Sequence, residues 1–265
     1  MDGADAVDRA DGAARHGRLY LVPAPLDFGC DPTTPLAQVL PAGTLEVAAR
    51  LQVWIAENAK TLRGYLKRVD AAHPLAHPLQ ALRIEQLPRA VHKHGDAAVG
   101  FDARALLAPA LAGDDIGLAS EAGMPAVADP GSSVVRSAHD LGIAVVPLIG
   151  PVAPLLALAA SGMNGQSFAF VGYLPTEPAA RAVRIRELEA LALGSGQTQL
   201  FIETPYRNSA LLHALLQTLQ PRTQLAVASG LTLATQAIAS RPVAAWRRSA
   251  DGLDDRVPAV FAIGR

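Results

Sequence analysis

The chain has 265 residues, 50% hydrophobic and 18% charged, with a formal net charge of -1, enough to bury a substantial core in one large domain or in two of roughly 150 residues. Its apolar fraction and aperiodic Gly and Pro exclude fibrous, collagenous and disordered classes, and a lone Cys30 excludes a disulfide scaffold. The longest apolar run, Pro151 to Ala160, contains a second proline and falls well short of the roughly 20 residues that cross a bilayer, so no membrane span is expected.

Residues Met1 to Gly17 carry acidic side chains every few positions and lack both an apolar face and a signal-peptide core, so 1–17 read as a disordered leader. Leu19 to Val22, stopped by Pro23 and Pro25, suits a buried strand. Thr44 is placed to cap a helix running to Leu51, and Val53 to Ala56 forms a second strand ending at Glu57. A polar helix is expected from Asn58 to Asp70, an alternating strand over Leu82 to Leu87, a helix over Ala103 to Ala112, and a strand over Ile116 to Ala119 that runs into Ser120. The helix from Ser132 stops at Gly142, Ile143 to Leu148 is strongly strand-like, and Gly150-Pro151 opens another helix. This strand-helix alternation with continuously apolar strands predicts a parallel sheet covered on both faces.

A stretch of small and turn residues, Ser161 to Gly165, precedes a second set. It comprises strands at Phe168 to Val171 and Gln199 to Glu203, helices at Ala179 to Leu193 and Asn208 to Leu219, and strands at Gln224 to Ala228 and Val260 to Ile263. The fold class expected is α/β with two α/β domains, 18–163 and 164–265.

An alternating α/β chain invites a nucleotide reading, yet no G-x-G-x-x-G follows the first strand and no Walker lysine loop occurs. There is no G-x-S-x-G elbow and no H-E-x-x-H, so hydrolase and zinc chemistry lack their signatures and no metal is expected. His73 and His77 each precede proline, which disfavours a shared helix face, and His92-Lys93-His94 reads as a solvated segment.

Five loops after expected strands are dense in Gly, Pro and small polar residues: Val22 to Pro25, Ser120 to Pro125, Pro147 to Pro151, Val171 to Pro175 and Glu203 to Arg207. Such loops at strand carboxyl ends are where α/β sheets bind ligands. In order and spacing they closely resemble the tetrapyrrole (corrin/porphyrin) methylase superfamily, within it the branch of small-subunit ribosomal RNA 2'-O-ribose methyltransferases. The branch's G-x-L-Y-L-V-P-x-P is matched by Gly17 to Pro25, its S-D-A-G-x-P by Ser120 to Pro125, and its D-P-G by Asp129-Pro130-Gly131. P-L-P-G-P is matched by Pro147 to Pro151 with Ile149 in third place, G-F-L-P by Gly172 to Pro175, and E-S-x-x-R by Glu203 to Arg207.

The resemblance implies a cytoplasmic, commonly homodimeric enzyme that binds S-adenosylmethionine in a trough between its two domains. Carried over position by position, it assigns the cofactor to Pro23, Ser120, Ala122, Gly123, Gly150, Pro151, Ala153, Gly172, Leu174, Thr204, Pro258 and Ala259. It implies RNA of the small ribosomal subunit as substrate, with Lys60, Arg63 and Arg207 as basic contacts and Glu57 as the candidate general base. Lys67, Arg68, Arg83, Arg89, Lys93, Arg181, Arg184 and Arg186 would complete a positive rim. The chain departs from the branch where A-E-D-T-R becomes Ala56-Glu57-Asn58-Ala59-Lys60 and where R-E-L-T-K becomes Ser229 to Leu233. Alternatives are a tetrapyrrole C-methylase and a non-catalytic S-adenosylmethionine-binding module.

Overall fold

A computed structural model describes residues 16–88, 91, 100–249 and 252–265. Most of the expected leader, together with Arg89, His92, Lys93 and His94, lies outside the described residues. Gly17 is already packed: its amide donates to the Ala110 carbonyl at 2.8 Å, and a side chain there would collide with the Asp114 carbonyl.

The first sheet is five-stranded, with order β3-β2-β4-β1-β5. It comprises β1 (Leu19–Leu21), β2 (Val53–Ala56), β3 (Arg83–Gln86), β4 (Ile116–Ala119) and β5 (Val145–Pro147), and every pair is parallel. Both central strands β2 and β4 are buried along their whole length, which is why they read as unbroken apolar runs rather than alternating ones. Trp54 on β2 is fully buried, and β4 accommodates it with Gly117, where a Cβ would lie 2.6 Å from the indole ring.

Helices cover both faces. The helix α1 (Leu36–Val39) was not foreseen; α2 (Ala42–Arg50), α3 (Ala59–Ala72), α4 (Ala108–Leu111) and α5 (Ser132–Asp140) were, α4 following a short 3-10 turn over Arg104–Leu107. On α3 the buried positions Leu62, Tyr65, Leu66 and Val69 form one helical stripe against the sheet. Thr44 is not the cap expected of it. Pro41 occupies that position, and the Thr44 hydroxyl, one turn into α2, donates to the Ile149 carbonyl at 2.8 Å.

The second sheet has order β6-β7-β10-β8-β9 and is mixed. Strands β6 (Phe168–Tyr173) and β7 (Thr198–Glu203) are parallel, whereas β10 (Ala259–Gly264) runs antiparallel to β7 and to β8 (Gln224–Ser229). The edge strand β9 (Ala237–Pro242) was missed by the sequence reading. Its residues AIASRP carry little apolar period, as expected of an edge exposed to water. Helices α7 (Pro178–Ser195), α8 (Asn208–Thr218) and α9 (Val243–Trp246) accompany one face, where Ile185, Leu188, Leu211, Leu215 and Trp246 pack with Phe201 and Phe261. Helix α6 (Ala153–Ser161) precedes the expected domain boundary in sequence, yet it covers the other face. There Ala157 and Leu158 pack with Leu200, Ala226, Ala228, Val260 and Ala262.

Candidate functional site

Strand order places a topological switch between β2 and β4. The chain leaving β2 runs outward to β3 on one side, and the chain leaving β4 runs to β5 on the other, the arrangement that opens a crevice at strand carboxyl ends. The loops there are tied by backbone. Ala24 and Gly123 exchange both hydrogen bonds, at 2.9 and 3.0 Å, so the Pro23-Ala24-Pro25 and Ser120-to-Pro125 loops form one surface. Gly150 joins them by close approach, since a Cβ at that position would collide with the Pro23 ring. A Cβ on Gly123 would stand 3.6 Å from the Pro151 carbonyl. Pro23, Ser120, Gly123, Gly150 and Pro151, five of the residues assigned to the cofactor, are thereby brought together, with Ala122 beside them and Ala153 opening α6.

The second half contributes the ends of β6, β7 and β8 and the start of β10. Gly172, at φ +70°, sits where the β6–β7 register shifts. The Leu174 side chain is 3% exposed and packed into the second core, which leaves its backbone as the part available to a ligand. Thr204 is held by Glu203, whose Oε1 accepts from the Thr204 amide at 2.8 Å and hydroxyl at 3.2 Å. Ala259 pairs with both Glu203 and Ser229, and the Pro258 carbonyl accepts from the Gly230 amide at 3.0 Å. Thr204, Gly230 and Pro258-Ala259 thus cluster at one end of the sheet. The halves are joined by the Thr34 hydroxyl donating to the Thr232 carbonyl at 2.9 Å, and by Leu26 packed among residues of α6 and the second sheet.

Three carboxylates converge on the first-half crevice. Glu57 follows β2, and its Oε2 accepts from the Glu121 amide at 3.2 Å. Glu121 in turn accepts from the Thr61 hydroxyl at 2.8 Å. Asp129 lies near both, and its pKa is pushed up to about 7 by burial first and then by the negative charges of Glu57 and Glu121. The Ser120 hydroxyl lies against the Asp129 carboxyl and offsets part of that rise, yet it is buried and completes hydrogen-bond geometry with no group among the described residues. From the second half, Tyr173 faces the same group. Tyr173 is 54% exposed, so the burial is partial; its phenol is pushed up by that partial burial first, then by Asp129 and Glu203, with Arg207 opposing and Glu57 adding a smaller push.

The altered strand-two motif has a structural task in this chain. Asn58, standing where the branch has aspartate, caps α3 by accepting from the Lys60 amide at 2.9 Å and the Thr61 amide at 3.4 Å. In the sequence Asp129 is marked only by its place in D-P-G, and Thr61 and Tyr173 carry no functional mark. Position in a loop after β4 was the one available signal for Asp129.

The basic rim is uneven. Lys60 and Arg63 are exposed on the first turns of α3, and Lys67 follows them. Arg207 is bound by the buried Glu203 at 2.6 Å, Arg68 forks onto Asp27 at 2.8 and 3.0 Å, Arg83 pairs with Glu85, and Arg184 pairs with Glu187. Arg207 therefore supports the β7 loop with its charge already matched. A cavity of about 340 Å³ lies elsewhere, between β8, β9 and α9, lined by Ser229, Thr235, Arg241, Trp246 and Leu253 among others. The Arg241 guanidinium stacks 4.1 Å from the Trp246 ring centre there, and none of the converging carboxylates lines it.

Fold and site together define a two-sheet α/β protein with a ligand crevice at strand carboxyl ends. The family model for tetrapyrrole (corrin/porphyrin) methylases matches residues 45–245, and the chain belongs to that family. It is 32% identical over 214 residues to ribosomal RNA small subunit methyltransferase I of Mesorhizobium japonicum, covering 81% of this chain and 63% of that one. It is 34% identical over 155 residues to the protein of the same name from Vibrio cholerae, covering 58% and 51% respectively. The chain thus spans between half and two thirds of the length of these curated relatives. Among solved structures, the methyltransferase CobJ shares the fold with a TM-score of 0.52 and 18% identity, over 94% of each chain.

Proposed function

We propose that this chain is an S-adenosylmethionine-dependent methyltransferase acting on RNA of the small ribosomal subunit, at a ribose 2'-hydroxyl. The observation that carries the reading is the crevice itself, a backbone-laced cradle in which Glu57, Glu121 and Asp129 converge and the buried Ser120 hydroxyl lies against Asp129. The cradle fits a cationic ligand rich in polar atoms. Loops closed by Gly123 and Gly150 offer main-chain groups at short range, and Glu57, Glu121 and Asp129 suit the positive charge of a sulfonium. Ser120, Gly123, Gly150 and Pro151 would hold the cofactor from the first half, and Thr204, Pro258 and Ala259 from the second. When bound, the cofactor supplies an already activated methyl group, which explains a site without a nucleophilic triad.

The chain's own work is then to align, to exclude water and to take a proton. The Ala24–Gly123 bridge and the Gly150–Pro23 contact fix one wall, and Tyr173 faces it from the other half. Acidic groups inside repel phosphates, while Lys60 and Arg63 at the exposed start of α3 attract them, which holds an RNA backbone at the rim. The names of the relatives support the ribosomal substrate. The same reading includes a homodimer and a cytoplasmic location, both supported by the family resemblance, and a domain division at 163/164, supported by the run of small and turn residues from Ser161 to Gly165. Among the described residues no helix is long and apolar enough to cross a membrane.

The test is transfer of a radioactive methyl group from S-adenosylmethionine to small ribosomal subunits from cells lacking the protein. Label that is ribonuclease-sensitive and blocks alkaline cleavage at one nucleotide is the expected result. No transfer to RNA, with the cofactor bound by calorimetry, would overturn it.

A further inference from the structure

We propose that Tyr206 is the platform on which a base of the RNA substrate stacks as its ribose enters the crevice. The inference rests on the ribose-methylation reading and names a substrate-positioning residue within that same site.

Local structure presents this ring rigidly. Tyr206 is the middle residue of the 3-10 turn Pro205–Arg207 that follows β7, so it lies in the loop at the carboxyl end of that strand, just beyond Thr204. Pro205 fixes the entry to the turn, and the Arg207 amide donates to the Thr204 carbonyl at 2.9 Å. The Arg207 side chain closes the loop from the other side. Its Nη2 and Nε donate to Glu203 Oε1 at 2.6 and 3.0 Å, and its Nε also reaches Thr204 Oγ1 at 3.1 Å. Glu203 is anchored in turn, with 1% of its side chain exposed.

Tyr206 itself is left 72% exposed. The Arg207 guanidinium lies over its ring, 5.6 Å from the centre, so one face has a cation behind it while most of the residue is in water. Packing does not call for an aromatic at this position, because the core on that side is filled by Phe201, Leu211 and Leu212 without it. A second ring stands close by in the sheet. Tyr173, 54% exposed, ends β6 and is paired in register with Ile202 of β7. Both tyrosines therefore leave neighbouring parallel strands at the same, carboxyl end of the second sheet.

Charge decides which occupant fits. Arg207 is already matched by Glu203, so the turn offers no spare cation to a phosphate, and the crevice wall opposite carries Glu57 and Glu121. The exposed cations Lys60 and Arg63 stand on the first turns of α3, in the other half. An RNA strand whose phosphates are held there and kept out of the acidic interior brings a nucleoside to the second wall. A nucleoside offers a flat π face, and a fixed, exposed aromatic side chain is the group on which unstacked RNA bases are held.

The experiment compares wild-type protein with Tyr206→Phe, Tyr206→Trp and Tyr206→Leu in steady-state methyl transfer to small ribosomal subunits from cells lacking the protein. Tyr206→Leu keeps apolar bulk without a π face, and it should raise KM for the subunits about tenfold with a much smaller change in kcat. Tyr206→Phe and Tyr206→Trp keep the face and should stay within about twofold of wild type. Cofactor affinity by calorimetry and the urea midpoint should be unchanged in all three, as befits a side chain that packs against no core. A KM for Tyr206→Leu within about twofold of wild type, or an equal loss in all three variants, would overturn the stacking role while leaving ribose methylation standing. So would an unchanged KM accompanied by a shift in sedimentation, which would assign the ring to a contact between copies of the chain. Wild-type protein that binds the cofactor but transfers no methyl to ribose would overturn the functional reading and the stacking role with it.

Discussion

The two halves build their shares of the crevice by different means. On the first half the wall is made of main chain: Ala24 bridged to Gly123, Gly150 pressed on Pro23, and two left-handed alanines ahead of Gly131. On the second half it is made of side chains, with the Glu203 carboxylate at the centre accepting from Thr204 and Arg207 and leaving only 1% of its side chain exposed. A backbone-built wall has no slack, because any added atom meets another backbone or ring. A side-chain wall can be rebuilt by exchanging partners, and it fails when a charge is left alone.

That contrast can be broken or sharpened by substitution. The largest effect is expected from Gly150→Ala. Its backbone is not left-handed, so the whole cost arises from the methyl meeting the Pro23 ring. A loss of about 3 kcal/mol in urea unfolding is expected, and a loss under about 1 kcal/mol would mean the first wall yields as readily as the second. Next comes Glu203→Gln, which leaves the half-buried Arg207 without its counter-charge while preserving shape. About 2 kcal/mol is expected, and the double variant Glu203→Gln with Arg207→Gln should recover part of it in a double-mutant cycle.

Smaller again is Asp129→Asn, whose effect depends on pH. The folded pKa of about 7 stands above the ordinary value of 3.8, so the native state holds this proton longer than the unfolded chain does. No penalty exists below the unfolded value; it develops as pH rises from about 4 and is complete above 7. Asp129→Asn should therefore be more stable than wild type at pH 8, by on the order of 1–2 kcal/mol once solvent screening of this half-buried group is allowed for. The difference should disappear by pH 4, as read from paired urea melts. The smallest effect is expected from Asn58→Ala, which removes the α3 cap. About 1 kcal/mol, independent of pH, is expected, and it would show that the altered strand-two motif serves the helix whatever it does for substrate.

Much of the first sheet was legible because its strands are buried on both faces and so appear as apolar runs cut by Pro and Gly. The strand Val53–Ala56 was read to the residue, and β4 likewise. The second sheet was less legible at its edge. Strand β9 pairs along one side only, so AIASRP needed no apolar stripe, and α1 and α9, of four residues each, are too short for any period to register. Within the site, the Gly and Pro positions could be found because a tight approach or a turn restricts residue type. Thr61, Tyr173 and the role of Asp129 could not, since an ordinary polar residue in a loop or on a helix carries no mark of what faces it.

The sequence by itself determined the alternation of strands and helices, the family to which the chain belongs, and which loops would lie at strand carboxyl ends. Those follow from local burial and from residue types that few backbones tolerate. Only the tertiary structure decided that Arg207 is matched by Glu203, that α6 serves the second sheet, and that Glu57, Glu121, Asp129 and Tyr173 face one another. Charge pairing and proton affinity depend on distances between residues separated by tens of positions in the chain, and those distances exist only once both sheets have formed and packed together.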